Sequence, residues 1–233
     1  MKIGMRFKSP KTVLAVTTTL IIFGAGSYLL GWSSLLTVKQ IEITGSPTST
    51  SEKEVANKLN LAMGDKLARV DPRALSHRLK ATDWIKSADI SRNWLNGKVT
   101  IALHPRIPVA LYTEPGKPQV ALDASGEVFN LPGALPSGLP KVSATSVASG
   151  LVAIKVFTEM PKDFSEGIDH LTAASAMNLT IDGKFGGHSL QIVWGDGKET
   201  LLKTKVAKAL LELPENKSIR LIDVTAPHAP IVK

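Results

Sequence analysis

The stretch Trp84-Ile-Lys-Ser-Ala-Asp-Ile-Ser-Arg-Asn-Trp94, continued by Leu95-Asn-Gly-Lys-Val-Thr-Ile-Ala-Leu103, decides the fold. Ala88, Ile90 and Trp94 alternate with Asp89, Ser91 and Asn93, and Val99, Ile101 and Leu103 alternate on the way back. Asn96-Gly97 between the two runs is the dipeptide of a type I′ turn, so the stretch reads as an antiparallel hairpin. A hairpin with one apolar face needs a cover.

The cover lies upstream. Val38 to Gly45 alternates at Ile41 and Ile43 and ends in a glycine turn, as a half-buried strand does. Ser51 and Glu54 have the spacing of a capping box, and Val55 and Leu59 follow four apart on one helical face. Gly64 ends that helix; Asp71-Pro72 starts another, with the aspartate as N-cap and the proline in the first turn, carrying Leu75 and Leu79 inward. Strand, helix, helix, strand, strand is a small α+β unit over 37–111.

Further upstream, no charged residue falls between Thr12 and Leu36. The run is long enough to cross about 30 Å of hydrocarbon as one helix. Lys2, Arg6, Lys8 and Lys11 precede it without an acid, which places residues 1–11 in the cytoplasm and all that follows outside. Tyr28 and Trp32 suit the far interface. The competing reading, a cleaved signal peptide, has only Gly24-Ala-Gly-Ser27 as a weak cleavage site and expects a shorter apolar region.

Downstream, 112–233 reads as a mainly antiparallel β domain with peripheral helices. Val120–Asp123 and Glu127–Phe129 flank a glycine-containing turn, Leu139–Val142 reads as a short edge segment, and Val152, Val156 and Met160 form a helical stripe that Pro161 ends. Leu179–Ile181, Leu190–Trp194 and Thr200–Leu202 are strand-like, with Gly195-Asp-Gly197 as a tight turn between the last two. A helix from about Lys203 turns Val206, Leu210 and Leu213 inward and Lys203, Lys205 and Lys208 outward, and Ile219–Val224 closes as a strand.

Composition narrows the function. A net charge of +8 suggests nucleic acid at first, but the basic residues are dispersed among acids without interleaved aromatics. With no cysteine there is no disulfide, thiolate metal site or cysteine nucleophile. His77, His104, His170, His188 and His228 are scattered, none forming a His-Glu-x-x-His helix, so neither a metal nor a cofactor is predicted. Gly195-Asp-Gly197 lacks the Lys-Ser/Thr of a phosphate loop, and Asp123-Ala-Ser-Gly126 is no nucleophile elbow; both read as turns.

The hairpin, followed by Pro105-Arg-Ile-Pro-Val-Ala110, resembles the signature of the FtsQ/DivIB family, and the βααββ unit behind an anchor resembles a POTRA domain. Leu95 stands where that family has proline, and His104 or Pro105 where it has glutamate. The C-terminal resemblance runs through Val193-Trp-Gly-Asp-Gly197, Ala207 to Leu213 and Leu221-Ile-Asp-Val224. The resemblance implies a bitopic divisome scaffold, not an enzyme, at the division septum, which helps assemble and regulate septal peptidoglycan synthesis. It implies FtsB and FtsL/DivIC-type bitopic division proteins as partners at the C-terminal edge, and further divisome members at the POTRA-like unit.

The residues themselves point to the same edge. Pro227 and Pro230 cannot donate to a central ladder, so the closing segment belongs at a sheet edge, where a partner strand can add. The expected contacts are Val224, Thr225, Ala226, Ala229, Ile231, Val232 and Lys233, with Ile231 and Val232 apolar and Lys233 able to pair with an acid. The alternative is a frayed tail over 225–233. Competing functions are a membrane-tethered cell-wall hydrolase or transferase, which would need a convergent acid, base or nucleophile cluster, and a secretion component, which would need a barrel.

Overall fold

A computed structural model describes residues 10–31, 36–134 and 136–233. The chain divides into two compact units, 1–105 and 106–233.

Helix α1 (Pro10–Gly31) opens the first unit. Its side chains Val13, Leu14, Val16, Leu20, Ile21, Ile22, Phe23 and Tyr28 are exposed. Thr17 and Thr19 donate their hydroxyls to the carbonyls of Val13 and Ala15 one turn back, so neither leaves its proton unpaired. Among the described residues no helix is long and apolar enough to cross a membrane. The basic residues Lys2, Arg6 and Lys8, and Trp32, lie outside the described residues.

The remainder of this unit is the expected βααββ: β1 (Gln40–Thr44), α2 (Ser49–Leu59), α3 (Pro72–Lys80), β2 (Ile85–Asn93) and β3 (Lys98–Pro105), with a 3-10 turn at Leu67–Arg69 before α3. The sheet order is β1-β3-β2, with β1 parallel and β2 antiparallel to the central β3. Val55 and Leu59 of α2, Leu75 and Leu79 of α3, and Val99, Ile101 and Leu103 of β3 are buried together with Trp84, Ile85 and Ala88. Asp71 caps α3 as expected, accepting the N–H groups of Arg73 and Ala74 at 2.9 and 3.3 Å.

Two local expectations are corrected. Helix α2 starts earlier than Ser51: Thr48 is the N-cap, its Oγ1 accepting the Ser51 N–H while Ser51 Oγ accepts the Thr48 N–H, each at 3.1 Å. Ser51 thus takes the reciprocal place of the box expected for Glu54, which pairs with Lys58 one turn on instead. The hairpin turn is also longer than two residues. Asn93 and Lys98 are its last paired residues, and Trp94–Gly97 form a four-residue loop closed by the Gly97 N–H on the Asn93 carbonyl.

The second unit is a nine-stranded mixed sheet in the order β12-β11-β10-β9-β8-β7-β4-β5-β6. In chain order it comprises β4 (Pro108–Thr113), β5 (Val120–Asp123), β6 (Val128–Phe129), β7 (Lys141–Ala144), α4 (Val147–Glu159), α5 (Lys162–Ser165), β8 (Ile168–Ser175), β9 (Asn178–Phe185), β10 (His188–Gly195), α6 (Thr200–Glu212), β11 (Leu221–Asp223) and β12 (Ile231–Val232). Five pairings are antiparallel and three are parallel, the latter being β4 with β7, β7 with β8 and β10 with β11. Helix α4 packs on β4, β7 and β8 over a core that includes Tyr112, Val142, Val156, Leu171, Ile181, Ile192 and Trp194.

Here the structure departs from the sequence reading in four places. Because β4 is interior to this sheet, the unit begins at Arg106 and not at 112. Strand β7 is no edge: it lies between β8 and β4 in parallel pairings that leave Val142 and Ala144 buried. Strand β8 has no marked pattern in the sequence, since only Leu171 and Ala173 alternate as buried positions. Thr200–Leu202 is the first turn of α6 and not a strand, so Gly195-Asp-Gly197 connects strand to helix, and the tight turn of the real hairpin is Gly186-Gly187 between β9 and β10.

Lys203 follows from that last correction. Expected outward, it is 1% exposed, and its ammonium donates to the carbonyls of Trp194 and Asp196 at 2.9 and 3.1 Å and to Asp196 Oδ1 at 2.9 Å. The hydrogen bond from Lys203 is the leading reason the Asp196 carboxyl titrates below its ordinary range. The stripe expected inward holds in part: Val206 and Leu210 are half-buried and pack against the core, Leu213 is exposed, and Thr200, Lys203, Thr204 and Ala207 are buried.

Candidate partner-binding site

The C-terminal edge is built on β10. Strand β11 joins it in parallel, Ile222 opposite Ile192, and β12 returns antiparallel to β11, with Ile222 opposite Val232 and Asp223 opposite Ile231. Lys233 makes the closing bonds: its N–H donates to the Leu221 carbonyl at 2.9 Å, and its carbonyl accepts the N–H groups of Leu221 and Arg220 at 3.0 and 2.7 Å. Residues of an antiparallel pair alternate between facing the partner strand and facing away, so Val232 directs its N–H and C=O outward from β11. Strand β12 is the last strand of its sheet, and Ile231 and Val232 are 54% and 36% exposed.

The turn between β11 and β12 is held by an aspartate that the sequence reading did not single out. Asp223 Oδ1 accepts both the Thr225 N–H at 2.9 Å and the Thr225 hydroxyl at 2.7 Å, an Asx turn legible in Asp-x-Thr. The Ala229 N–H closes the loop on the Ala226 carbonyl. Gly195, at φ +77°, passes beneath: a Cβ there would lie 2.9 Å from Thr225 Cγ2. Of the residues expected at the edge, Thr225, Ala226, Ala229, Ile231, Val232 and Lys233 are exposed. Val224 is not: its side chain is fully buried and its N–H donates to the Val193 carbonyl, which ties the turn to the core and removes Val224 from the contact surface.

The motif residues of the first signature have structural work. Arg92 Nη1 donates to the carbonyls of Leu67 and Val70 at 3.0 and 2.7 Å, and its guanidinium lies 5.0 Å over the ring of Trp94. His104, where the resemblance has a glutamate in this vicinity, meets Asp89 at 2.9 Å across β2 and β3. Arg106 donates to Asp123 Oδ2 at 2.8 Å. Burial pushes the Asp123 carboxyl up, but hydrogen bonds from the Ser125 hydroxyl, Arg106 and the N–H groups of Glu127 and Ser125 outweigh it and hold the pKa at about 2.

Ser125 and His170, weighed for chemistry in the sequence, make structural hydrogen bonds. Ser125 donates its hydroxyl to Asp123 Oδ1 at 2.6 Å within a turn. His170 lies 2.9 Å from Ser143 Oγ, its pKa lowered chiefly by burial, and Tyr112 is pushed up to about 12 by burial and then by the adjacent Glu114. Among the described residues no three His, Asp or Glu side chains converge as a metal site.

Comparison with known proteins bears on both units. Residues 36–105 match the family described as POTRA domain, FtsQ-type. A cell division protein FtsQ from Salinibacter ruber is 28% identical over 117 residues, covering 49% of this chain and 45% of that protein. Another from Corynebacterium glutamicum is 22% identical over 209 residues, covering 87% of this chain and 91% of that one. The first unit thus matches an FtsQ-type POTRA domain, and the chain is similar to cell division proteins FtsQ. Its match to the Salinibacter relative spans less than half of that protein's length. Among solved structures, POTRA1-2 of the periplasmic domain of Omp85 from Anabaena matches at 18% identity over 43% of this chain and 58% of that one, with a TM-score of 0.28.

Proposed function

We propose that the protein is a non-catalytic, single-pass scaffold of the division septum, which binds other division proteins outside the membrane and so helps assemble and regulate septal peptidoglycan synthesis. The observation that carries this is the β12 edge: a short closing strand with Ile231 and Val232 exposed and one outward-facing backbone pair at Val232. A bitopic partner of the FtsB or FtsL/DivIC type adds a strand there, taking affinity from main-chain bonds and specificity from Ile231, Val232 and Lys233. The POTRA domain recruits further members of the complex.

Helix α1 anchors the chain. What supports this is the uncharged run from Thr12 to Leu36, which continues past the described end of α1 at Gly31 and is long enough for the hydrocarbon core. Val13, Leu14, Val16, Leu20, Ile21, Ile22, Phe23 and Tyr28 are exposed among the described residues, and Lys11 is the charged residue of the helix. The basic residues before it favour a cytoplasmic N-terminus.

The test is capture of purified extracytoplasmic segments of FtsB- and FtsL/DivIC-type proteins by the full chain in nanodiscs, repeated with Ile231→Glu and with residues 225–233 deleted. Binding by the parent and a loss of at least about tenfold for both variants, with circular dichroism unchanged, is expected, since one apolar contact and a ladder together exceed 1.4 kcal/mol. No binding by the parent chain sinks the scaffold mechanism and reopens the tethered hydrolase or transferase.

A further inference from the structure

Beyond α1, two loop residues of the first unit, Leu95 and Met63, are strongly exposed and apolar in a way its own packing does not explain. Leu95 is 96% exposed at the tip of the β2–β3 hairpin, and Met63 is 63% exposed in the loop after α2. Both loops are bonded to the same short piece of chain. The Lys39 N–H donates to the Gly97 carbonyl at 2.8 Å, the Gly64 N–H donates to the Val38 carbonyl at 2.8 Å, and the Val38 N–H donates to the Asp65 carbonyl at 2.8 Å. Gly97, at φ +74°, permits the close approach: a Cβ there would lie 2.6 Å from the Thr37 carbonyl oxygen.

The tip is pre-formed. Asn93 Oδ1 accepts the N–H groups of Leu95 and Asn96, Asn96 Oδ1 accepts that of Lys98, and the Arg92 guanidinium holds the half-exposed Trp94 ring. Lys39 and Arg69 are exposed on this end of the unit, and Lys98 is paired with Glu42. A rigid apolar tip carrying an amphipathic indole with cations beside it has the chemistry of an interfacial contact.

Tether length names the surface. The segment that both loops hold, Val38–Lys39, follows Leu36, whose carbonyl accepts the Leu67 N–H, and Leu36 is five residues after Gly31, the last residue of α1. Five residues reach at most about 18 Å.

We propose that the hairpin tip Trp94–Leu95 and the Met63 loop rest on the bilayer surface, with Leu95 and Met63 at the headgroup–acyl boundary and Lys39 and Arg69 toward anionic headgroups. This rests on the reading of α1 as an anchor. It makes the POTRA domain sit on the membrane through a defined end, which fixes the direction in which its sheet is offered to partners.

Because the chain has no cysteine, single substitutions give unique probe positions. The full chain is labelled with an environment-sensitive fluorophore at Leu20→Cys in α1, Leu95→Cys, Met63→Cys or Lys86→Cys, the last an exposed position at the opposite end of β2 from the tip. Each is placed in nanodiscs of phosphatidylcholine with phosphatidylglycerol, with or without lipid quenchers at known depth. The expected result is deep quenching at position 20, quenching within about 10 Å of the headgroup boundary at 95 and 63, and none at 86. Quenching at 20 with positions 95 and 63 in water overturns the proposal and leaves the anchor standing. Position 20 in water overturns the anchor and the proposal together, and equal quenching at 86 overturns the assignment to this end of the unit.

Discussion

Lys203 shows how one residue can be read backwards from sequence. On a helical wheel it belongs with Lys205 and Lys208, yet it is buried with three hydrogen bonds to Trp194 and Asp196. A buried cation tolerates that position only while those oxygens surround it. We expect Asp196→Ala to cost about 2–3 kcal/mol by leaving the ammonium one acceptor short, and Lys203→Met to cost less because it removes the charge while filling the same space. Urea midpoints at constant slope measure both. Asp123 makes the other residue-scale prediction. Its carboxyl is depressed from 3.8 to about 2, so its ionised form stabilises the fold above pH 3.8 and this contribution, about 2 kcal/mol, fades as pH falls toward 2. The acid limb of the stability profile is expected to flatten in Asp123→Asn; an unchanged limb would place the loss elsewhere.

At the scale of elements, the β2–β3 hairpin was legible as two strands because Val99, Ile101 and Leu103 alternate strictly. Its turn was not, because Asn96-Gly97 fits a two-residue loop equally well and only the bond from Gly97 N–H to the Asn93 carbonyl sets the loop at four. Gly97→Ala should cost about 1–3 kcal/mol through its positive φ and the clash with Thr37, and faster amide exchange at Lys39, whose N–H rests on the Gly97 carbonyl, is the readout. The edge strand was legible from Pro227 and Pro230, while the burial of Val224 was not: it depends on the parallel pairing of β11 with β10, which no local pattern announces.

At the scale of the whole molecule, the two units have separate cores, Val55 to Leu103 in one and Ala110 to Val224 in the other. Two unfolding transitions are therefore expected, with Asp196→Ala moving one and Gly97→Ala moving only the other, since distant sites with no shared partners add independently. Tryptophan fluorescence and circular dichroism recorded together would resolve them; a single coincident transition shifted by both variants would refute the independence of the cores.

What the sequence determined by itself was whatever repeats at short range: the α+β order of the first unit, the Asp71-Pro72 cap, the FtsQ-type signature, and the proline-marked closing edge. Tertiary structure alone decided the rest. Strand β7 became interior, β4 joined the second sheet, and Lys203 turned inward, because parallel pairing and core burial link residues far apart in the chain, and side-chain periodicity records only which face a residue shares with its near neighbours.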